Sequence, residues 1–323
     1  MMPVPDHPDR RGADEGLEAA FRAHRGRLLN VAYRMLGSVR DAEDVVGEAY
    51  VRLLAHGLDG IDDPLGWLMA VTSRLCLDRL RSSELRRRHY VGTWLPEPII
   101  EVRAVDGDLA DRVTLDDSVR MALLVVLEQL TPPERTAFVL HEVFRVPFEE
   151  IATLVGRSPQ ACRQLASRAR RRIDADPASR FRADPAEHRR VVHRFAAACQ
   201  SGDLDALVAV LDPDVAGDFD SGGMLPGAPL GPLRGAAPIA YHLKEVFAGV
   251  ACDFEVTGVN GDPGVVVRVR DRVVAVIAIA VSDGRIQLIH AVGNPDKLPI
   301  APPAPHASTQ PPPPTGPGPS DIA

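Results

Sequence analysis

Between Arg157 and Ile173 the chain sets Gln160, Arg163, Gln164, Ser167, Arg168 and Arg171 at helical spacing, with Arg170 and Arg172 beside them and no acid among them. Gln and Arg make paired hydrogen bonds to adenine and guanine edges in a major groove, and further arginines hold phosphates. A solvated basic helix in a protein-binding bundle has the same composition, so the frame around it must decide. Cys162, Leu165, Ala169 and Ile173 recur every three or four residues and give this helix one narrow apolar stripe. Ser158-Pro159 starts it, and Ser158 stands at the edge of the same reading surface. Upstream, Pro147 opens a short helix with Ile151, Ala152 and Val155 facing inward, and Gly156 ends it. Before that, Thr131 and Glu134 form a capping box, with Pro132 in the first turn of a helix predicted to reach about Phe144. Short helices joined by a tight glycine turn spell a helix-turn-helix, which favours DNA.

A second charged surface lies near the N-terminus. Ala42, Val45, Val46, Ala49, Tyr50, Leu53 and Leu54 make an apolar helical stripe, and the other face carries Asp41, Asp44, Glu48 and Arg52. Early acids also compensate a helix dipole, which by itself accounts for Asp41 and Asp44. A helix from about Leu17 to Leu36 precedes this one, broken at Gly37-Ser38. Asp63-Pro64 starts a third, with Trp67, Leu68, Val71, Leu75 and Leu80 apolar and Arg74, Arg79 and Arg81 making its far end basic. The place of Trp67 in the apolar stripe points to core packing rather than to a stacking platform.

The composition bounds the rest. At 323 residues, two or three domains are expected. No apolar run is long enough to cross a membrane, and residues 1–16 lack a signal-peptide core, so a cytoplasmic protein without membrane contact is expected. Cys76, Cys162, Cys199 and Cys252 are scattered without a Cys-x-x-Cys pair, which argues for packed thiols and against a disulfide framework or zinc site; no metal and no cofactor are expected. The net charge of −7 is partitioned: residues 131–176 hold eight arginines against six acids, whereas residues 91–130 hold three against eight. A basic reader beside acidic segments suits DNA binding that needs a partner to become strong.

The ordered stretches RMLGSVRDAEDVVGEAYVRL, PLGWLMAVTSRLCLDRLRS and 131–173 together resemble the extracytoplasmic-function sigma factors of bacterial RNA polymerase. The resemblance implies two all-α domains, a region 2 bundle at 16–90 and a region 4 helix-turn-helix at 118–175, reading the −10 and −35 promoter elements. It implies that Asp41, Asp44, Glu48 and Arg52 meet the polymerase core. It gives the −10 strand to Leu58, Asp59, Asp62, Arg74 and Arg79, and the −35 element to Ser158, Gln160, Arg163, Gln164, Ser167, Arg168 and Arg171. Residues 1–15 read as a flexible leader, and 91–117 as an extended acidic linker.

The linker carries WLPEP, residues Trp94, Leu95, Pro96, Glu97 and Pro98, whose large aromatic calls for a place to be buried. WLPEP is similar to a motif of those sigma factors that carry a SnoaL-like C-terminal domain. Residues 184–298 fit that addition. Two helices are predicted over 185–215, a glycine- and proline-rich loop over 217–238, and a helix over 239–248. Four strand-like runs then form an antiparallel meander, giving an α+β cone of the nuclear-transport-factor-2-like kind. NPDKL, residues Asn294, Pro295, Asp296, Lys297 and Leu298, matches the group's motif. DSGGM, from Asp220 through Gly222 and Gly223, departs from it by Ser221 and by Met224 in place of a cation. The resemblance makes all three motifs regulatory interdomain contacts. A proline-rich tail, 299–323, is expected to be disordered.

An enzymatic cone would draw on Asp220, His242, Asp253 and His290, but no spacing brings them together, and catalytic residues are assigned to none. The sequence therefore reads as an alternative sigma factor that binds core polymerase and promoter DNA. Its cone would regulate it in cis, with no separate anti-sigma protein required. A stand-alone helix-turn-helix regulator with a ligand-sensing or enzymatic cone is the alternative, and a small ligand of the cone stays possible.

Overall fold

The computed structural model describes residues 8–87, 90–101, 120–176, 183–225 and 228–298, without the side chains of 8–15 and 83–87. Three helices come first: α1 (Pro8–Leu36), α2 (Val39–His56) and α3 (Pro64–Arg87). The helix α1 starts well before the expected Leu17, so residues 8–15 are not an irregular leader. Ser38 caps α2 by accepting from Asp41 N, and the stripe Ala42, Val45, Val46, Ala49 and Leu53 is buried as its spacing requires.

Four helices follow the linker: α4 (Met121–Glu128), α5 (Pro132–Phe138), which runs into a π-helical turn at Val139–Val143, α6 (Phe148–Val155) and α7 (Pro159–Ala175). The capping box at Thr131 and Glu134 is formed. Gly156, at φ 72°, makes the left-handed turn between α6 and α7, a conformation that a Cβ would penalise. The two groups of helices were expected as separate domains, yet they share one apolar core. Leu28, Met35, Leu53, Leu68 and Leu77 from α1–α3 join Leu127, Val139, Ile151 and Leu165 from the second group.

The cone holds α8 (Pro185–Ser201), α9 (Leu204–Val210) and α10 (Ala236–Phe247) against a curved sheet. The expected meander is present as β4 (Asp253–Val259), β5 (Asp262–Val269), β6 (Arg272–Ser282) and β7 (Arg285–Val292), each antiparallel to the next. Three strands were not anticipated. One is β2 (Leu211–Asp220), which follows α9 directly and runs parallel to β7. The short β3 (Leu233–Arg234) pairs with β2, so the supposed loop 217–238 contains the end of one strand, another strand and the start of α10. The last is β1 (Ile100–Glu101), a piece of the linker added to the free edge of β4. The sheet order is β1-β4-β5-β6-β7-β2-β3.

The inner face of the sheet packs Val265, Val267, Ile277 and Ile289 against Phe195, Phe219, Ile239 and Leu243. Its outer face, with Val259, Val266, Val276 and Ala278, is covered by Met121 of α4. Strands buried on both faces lose the alternation of a half-exposed sheet, and the unbroken runs GVVVRV and VVAVIAIAV are its trace in the sequence. The expected tail 299–323 and linker residues 102–117 lie outside the described residues.

Candidate nucleic-acid interface and interdomain junction

The helix α7 is fixed by its buried side, Cys162, Leu165, Ala166, Ala169 and Ile173, and by Ser158, whose side chain accepts from Ala161 N at 3.2 Å. Gln160, Arg163, Gln164, Ser167, Arg168 and Arg171 line one open groove on the other side. Six of the seven residues assigned to −35 reading therefore share a surface. The seventh, Ser158, has its hydroxyl committed to the N-cap, where the first amides of the helix need an acceptor.

Acids from the neighbouring helices hold several of the α7 arginines by one edge. Arg163 meets Glu149 at 3.2 Å, and Arg170 pairs with Glu142. Glu134, nearly buried, receives Arg168 Nε at 3.1 Å and Arg172 at 3.4 Å. Burial pushes the Glu134 carboxyl up, but hydrogen bonds from Thr131 and Arg168 and the charge of Arg172 outweigh it and leave it below the usual range.

In the first group of helices, Asp44, Glu48 and Arg52 are exposed on α2, with Glu48 and Arg52 paired at 2.7 Å. Arg79, assigned to −10 DNA, reaches back to Asp41 at 2.9 Å and Asp44 at 3.4 Å. Helix packing brings α3 alongside α2, and the guanidinium takes the nearest carboxylates. Arg74, Asp59 and Asp62 are exposed, while Leu58 packs partly onto the core. Trp67 is also partly buried there, its ring 5.5 Å from that of His56.

WLPEP lies at a junction of all three parts. On the cone side, Asp220 is fully buried and gathers four donors: Lys297 Nζ at 2.6 Å, Leu95 N at 2.9 Å, Gly222 N at 3.1 Å and the Tyr90 hydroxyl. Lys297 also donates to Leu95 O at 2.7 Å, and its ammonium sits 3.1 Å from the centroid of the Trp94 ring. Cation, carboxylate and aromatic face thus offset one another's desolvation. Asn294 donates to the Tyr90 hydroxyl at 2.8 Å, and its side chain lies so close to Gly222 that a Cβ there would meet it at 2.8 Å. Burial and then the Asp220 carboxylate push the Tyr90 phenol up. DSGGM, NPDKL and WLPEP are one constellation, with Pro295, Asp296 and Gly223 at its exposed rim and Leu298 packed toward the Met121 cluster.

On the helical side, Glu97 does the corresponding work. Its carboxylate accepts from Ser38 Oγ at 3.1 Å, Val39 N at 2.8 Å and Arg40 N at 3.4 Å, so it caps α2 from outside. Burial pushes the Glu97 carboxyl up, against these hydrogen bonds. Tyr33 donates to Glu97 O at 2.7 Å and accepts from Asn260 Nδ2 of the cone at 2.8 Å. Arg135 of α5, 1% exposed, donates twice to Arg34 O at 3.1 Å and meets Glu128 at 2.7 Å; burial lowers its pKa to about 9. Sequence reasoning missed Tyr33, Tyr90, Arg135 and Asn260. Asn260-Gly261 is legible only as a hairpin turn, and nothing in the spacing says that its side chain reaches across 227 residues.

The groups that an enzymatic cone would use do not converge. Asp220 is taken up by Lys297, and His242 rests edge-on against Phe219 at 4.5 Å. Asp253 is exposed, and His290 lies beside Asp218 on the outer face, 3.4 Å from its carboxylate.

Comparison with known proteins agrees with this arrangement. Residues 20–86 match the family model for sigma-70 region 2, and residues 120–173 that for sigma-70, region 4. A probable extracytoplasmic-function RNA polymerase sigma factor of Mycobacterium tuberculosis, SigI, is 44% identical over 287 residues, covering 87% of this chain and 94% of that protein. SigJ of the same organism is 41% identical over 290 residues, covering 86% and 92%. The crystal structure of SigJ superposes with a TM-score of 0.67 at 39% identity, covering 86% of this chain and 97% of its own, cone included.

Proposed function

The chain belongs to the extracytoplasmic-function sigma factors, and from that premise we propose that its cone regulates initiation in cis through the WLPEP junction. As a sigma factor it directs promoter-specific transcription initiation, with RNA polymerase core and promoter DNA as partners. In our reading, Asp44, Glu48 and Arg52 bind the polymerase core, with Asp41 held beside them by Arg79. The exposed Asp59, Asp62 and Arg74 serve the −10 strand, and the α7 groove reads −35. No separate anti-sigma protein is needed, and the protein works in the cytoplasm, where polymerase is. Among the described residues no helix is long and apolar enough to cross a membrane.

One observation carries the regulatory reading. The buried Lys297–Asp220 pair closes on the backbone of Leu95, two residues before the Glu97 that caps α2. A cone that grips this linker sets where regions 2 and 4 stand. Run-off transcription with core polymerase should therefore differ among the full chain, a chain ending at Val292 and one ending at Asp176. Losing the segment after the last strand, NPDKL included, releases a restraint, while losing the whole cone also removes a positive contribution. Equal activity from all three, with Trp94→Ala silent as well, would make the cone a passenger. Reversing Asp44 and Glu48 to lysine should abolish core binding; unchanged affinity of a folded variant would end that assignment.

A further inference from the structure

We propose that Phe148 and Glu149, on the supporting helix α6, determine −35 specificity by fixing the guanidinium of Arg163 before DNA arrives. The proposal rests on α7 being the −35 reader. Four contacts make the arrangement. Arg163 Nη2 donates to Glu149 Oε1 at 3.2 Å. Its guanidinium carbon stands 5.6 Å from the centroid of the Phe148 ring. Phe148 in turn stacks on His141, with centroids 3.8 Å apart and planes 26° apart, and His141 Nδ1 lies 3.1 Å from Val146 O. Imidazole, phenyl ring and guanidinium thus succeed one another outward from the core, on which Phe148 is partly buried.

The contrast with a neighbour in the same groove gives this arrangement its meaning. Among the described residues, Arg171 makes one 3.4 Å bond, to the carbonyl of Ser167 in its own helix. A loosely held arginine loses rotamer freedom when it binds and follows whichever phosphate is near. A guanidinium held at one edge and one face has less freedom to lose, and its remaining N–H groups keep the fork that fits guanine O6 and N7. Glu149 adds a second effect. A carboxylate beside the groove disfavours a phosphate at that place, so Arg163 is kept for a base edge and away from indiscriminate backbone contact. Phe148 and Glu149 are therefore positioning residues, acting through Arg163 without touching the base.

The experiment uses the full chain with core polymerase on a promoter library in which each −35 base pair is replaced in turn. Arg163→Ala should reduce discrimination about tenfold or more at one position, which identifies its base pair. Phe148→Leu keeps an apolar filler, and Glu149→Gln keeps the shape of the side chain. Each should reduce discrimination about three- to tenfold at that same position and leave the others unchanged. Phe148→Tyr keeps the aromatic face and should restore it. Glu149→Gln should in addition raise binding to promoter-free DNA, an effect that lost packing would not produce. Melting temperatures within the wild-type range would show that the variants are folded. The proposal is overturned if Phe148→Leu and Glu149→Gln keep full discrimination where Arg163→Ala loses it. It is equally overturned if they blunt every −35 position alike. Should Arg163→Ala change no position, the −35 placement of α7 falls together with the proposal.

Discussion

The junction at WLPEP and the groove on α7 are both built from arginine or lysine set against carboxylates, yet they stand in opposite environments. Lys297 and Asp220 have side chains 8% and 0% exposed, and their hydrogen bonds run to each other and to Leu95, Gly222 and Tyr90 within the chain. Arg163 and Glu149 are 56% and 66% exposed, and the arginine keeps N–H groups for a ligand. Ion pairs in water contribute little to stability, whereas a buried pair that loses one member leaves an uncompensated charge. In the proposed function, the same chemistry serves as a lock where it is buried and as a reader where it is exposed.

Breaking the lock should have the largest effect. Lys297→Met leaves the Asp220 carboxylate buried without its cation and should cost about 3–5 kcal/mol of docking stability. Amide exchange of residues 90–98 would show it as lost protection, and adding Asp220→Leu should recover part of the loss. Unchanged protection in Lys297→Met would mean that the junction is not held by this pair.

On the helical side of the same junction a neutral group is at stake. Tyr33→Phe removes the donor to Glu97 O and the acceptor of Asn260, and should cost about 1–3 kcal/mol in denaturant unfolding. A loss as large as that from Lys297→Met would place the main restraint on region 2 and away from the cone.

The reader should respond differently. Arg171→Ala should weaken promoter binding evenly across sequences and reduce the slope of log affinity against log salt by about 1. If it altered base preference, the division between a held Arg163 and a loose Arg171 would fail. The smallest effect is expected on α2, where Arg52→Ala breaks an exposed pair and should shift unfolding by less than about 0.5 kcal/mol.

Much of the reader was legible because its determinants are local. The capping box, Gly156, Ser158-Pro159 and the stripe through Cys162 and Ile173 lie within one stretch, and helical spacing alone puts Gln160, Arg163, Gln164, Ser167, Arg168 and Arg171 on one side. The junction was legible as three motifs but not as a mechanism. Nothing in WLPEP says that Glu97 caps α2, or that Tyr90, outside the motif, closes on Asp220. That Arg79 pairs with Asp41 and Asp44 was not legible either, because the pairing depends on where the facing helix α2 lies.

By itself the sequence determined α2, α3, α6 and α7, the polar face of α7 and the antiparallel meander, because caps, glycines and apolar periodicity act within a few residues. Tertiary structure alone decided the parallel pairing of β2 with β7, the addition of linker residues Ile100–Glu101 to the sheet edge, and the single core shared by the two helical groups. It also decided which charges would be spent inside the protein. Asp220 and Lys297, 77 residues apart, meet under Trp94, and Arg135 reaches a carbonyl 101 residues away. A polar side chain carries no periodic mark of a distant partner; only the packed chain brings the two within hydrogen-bonding distance and removes the water between them.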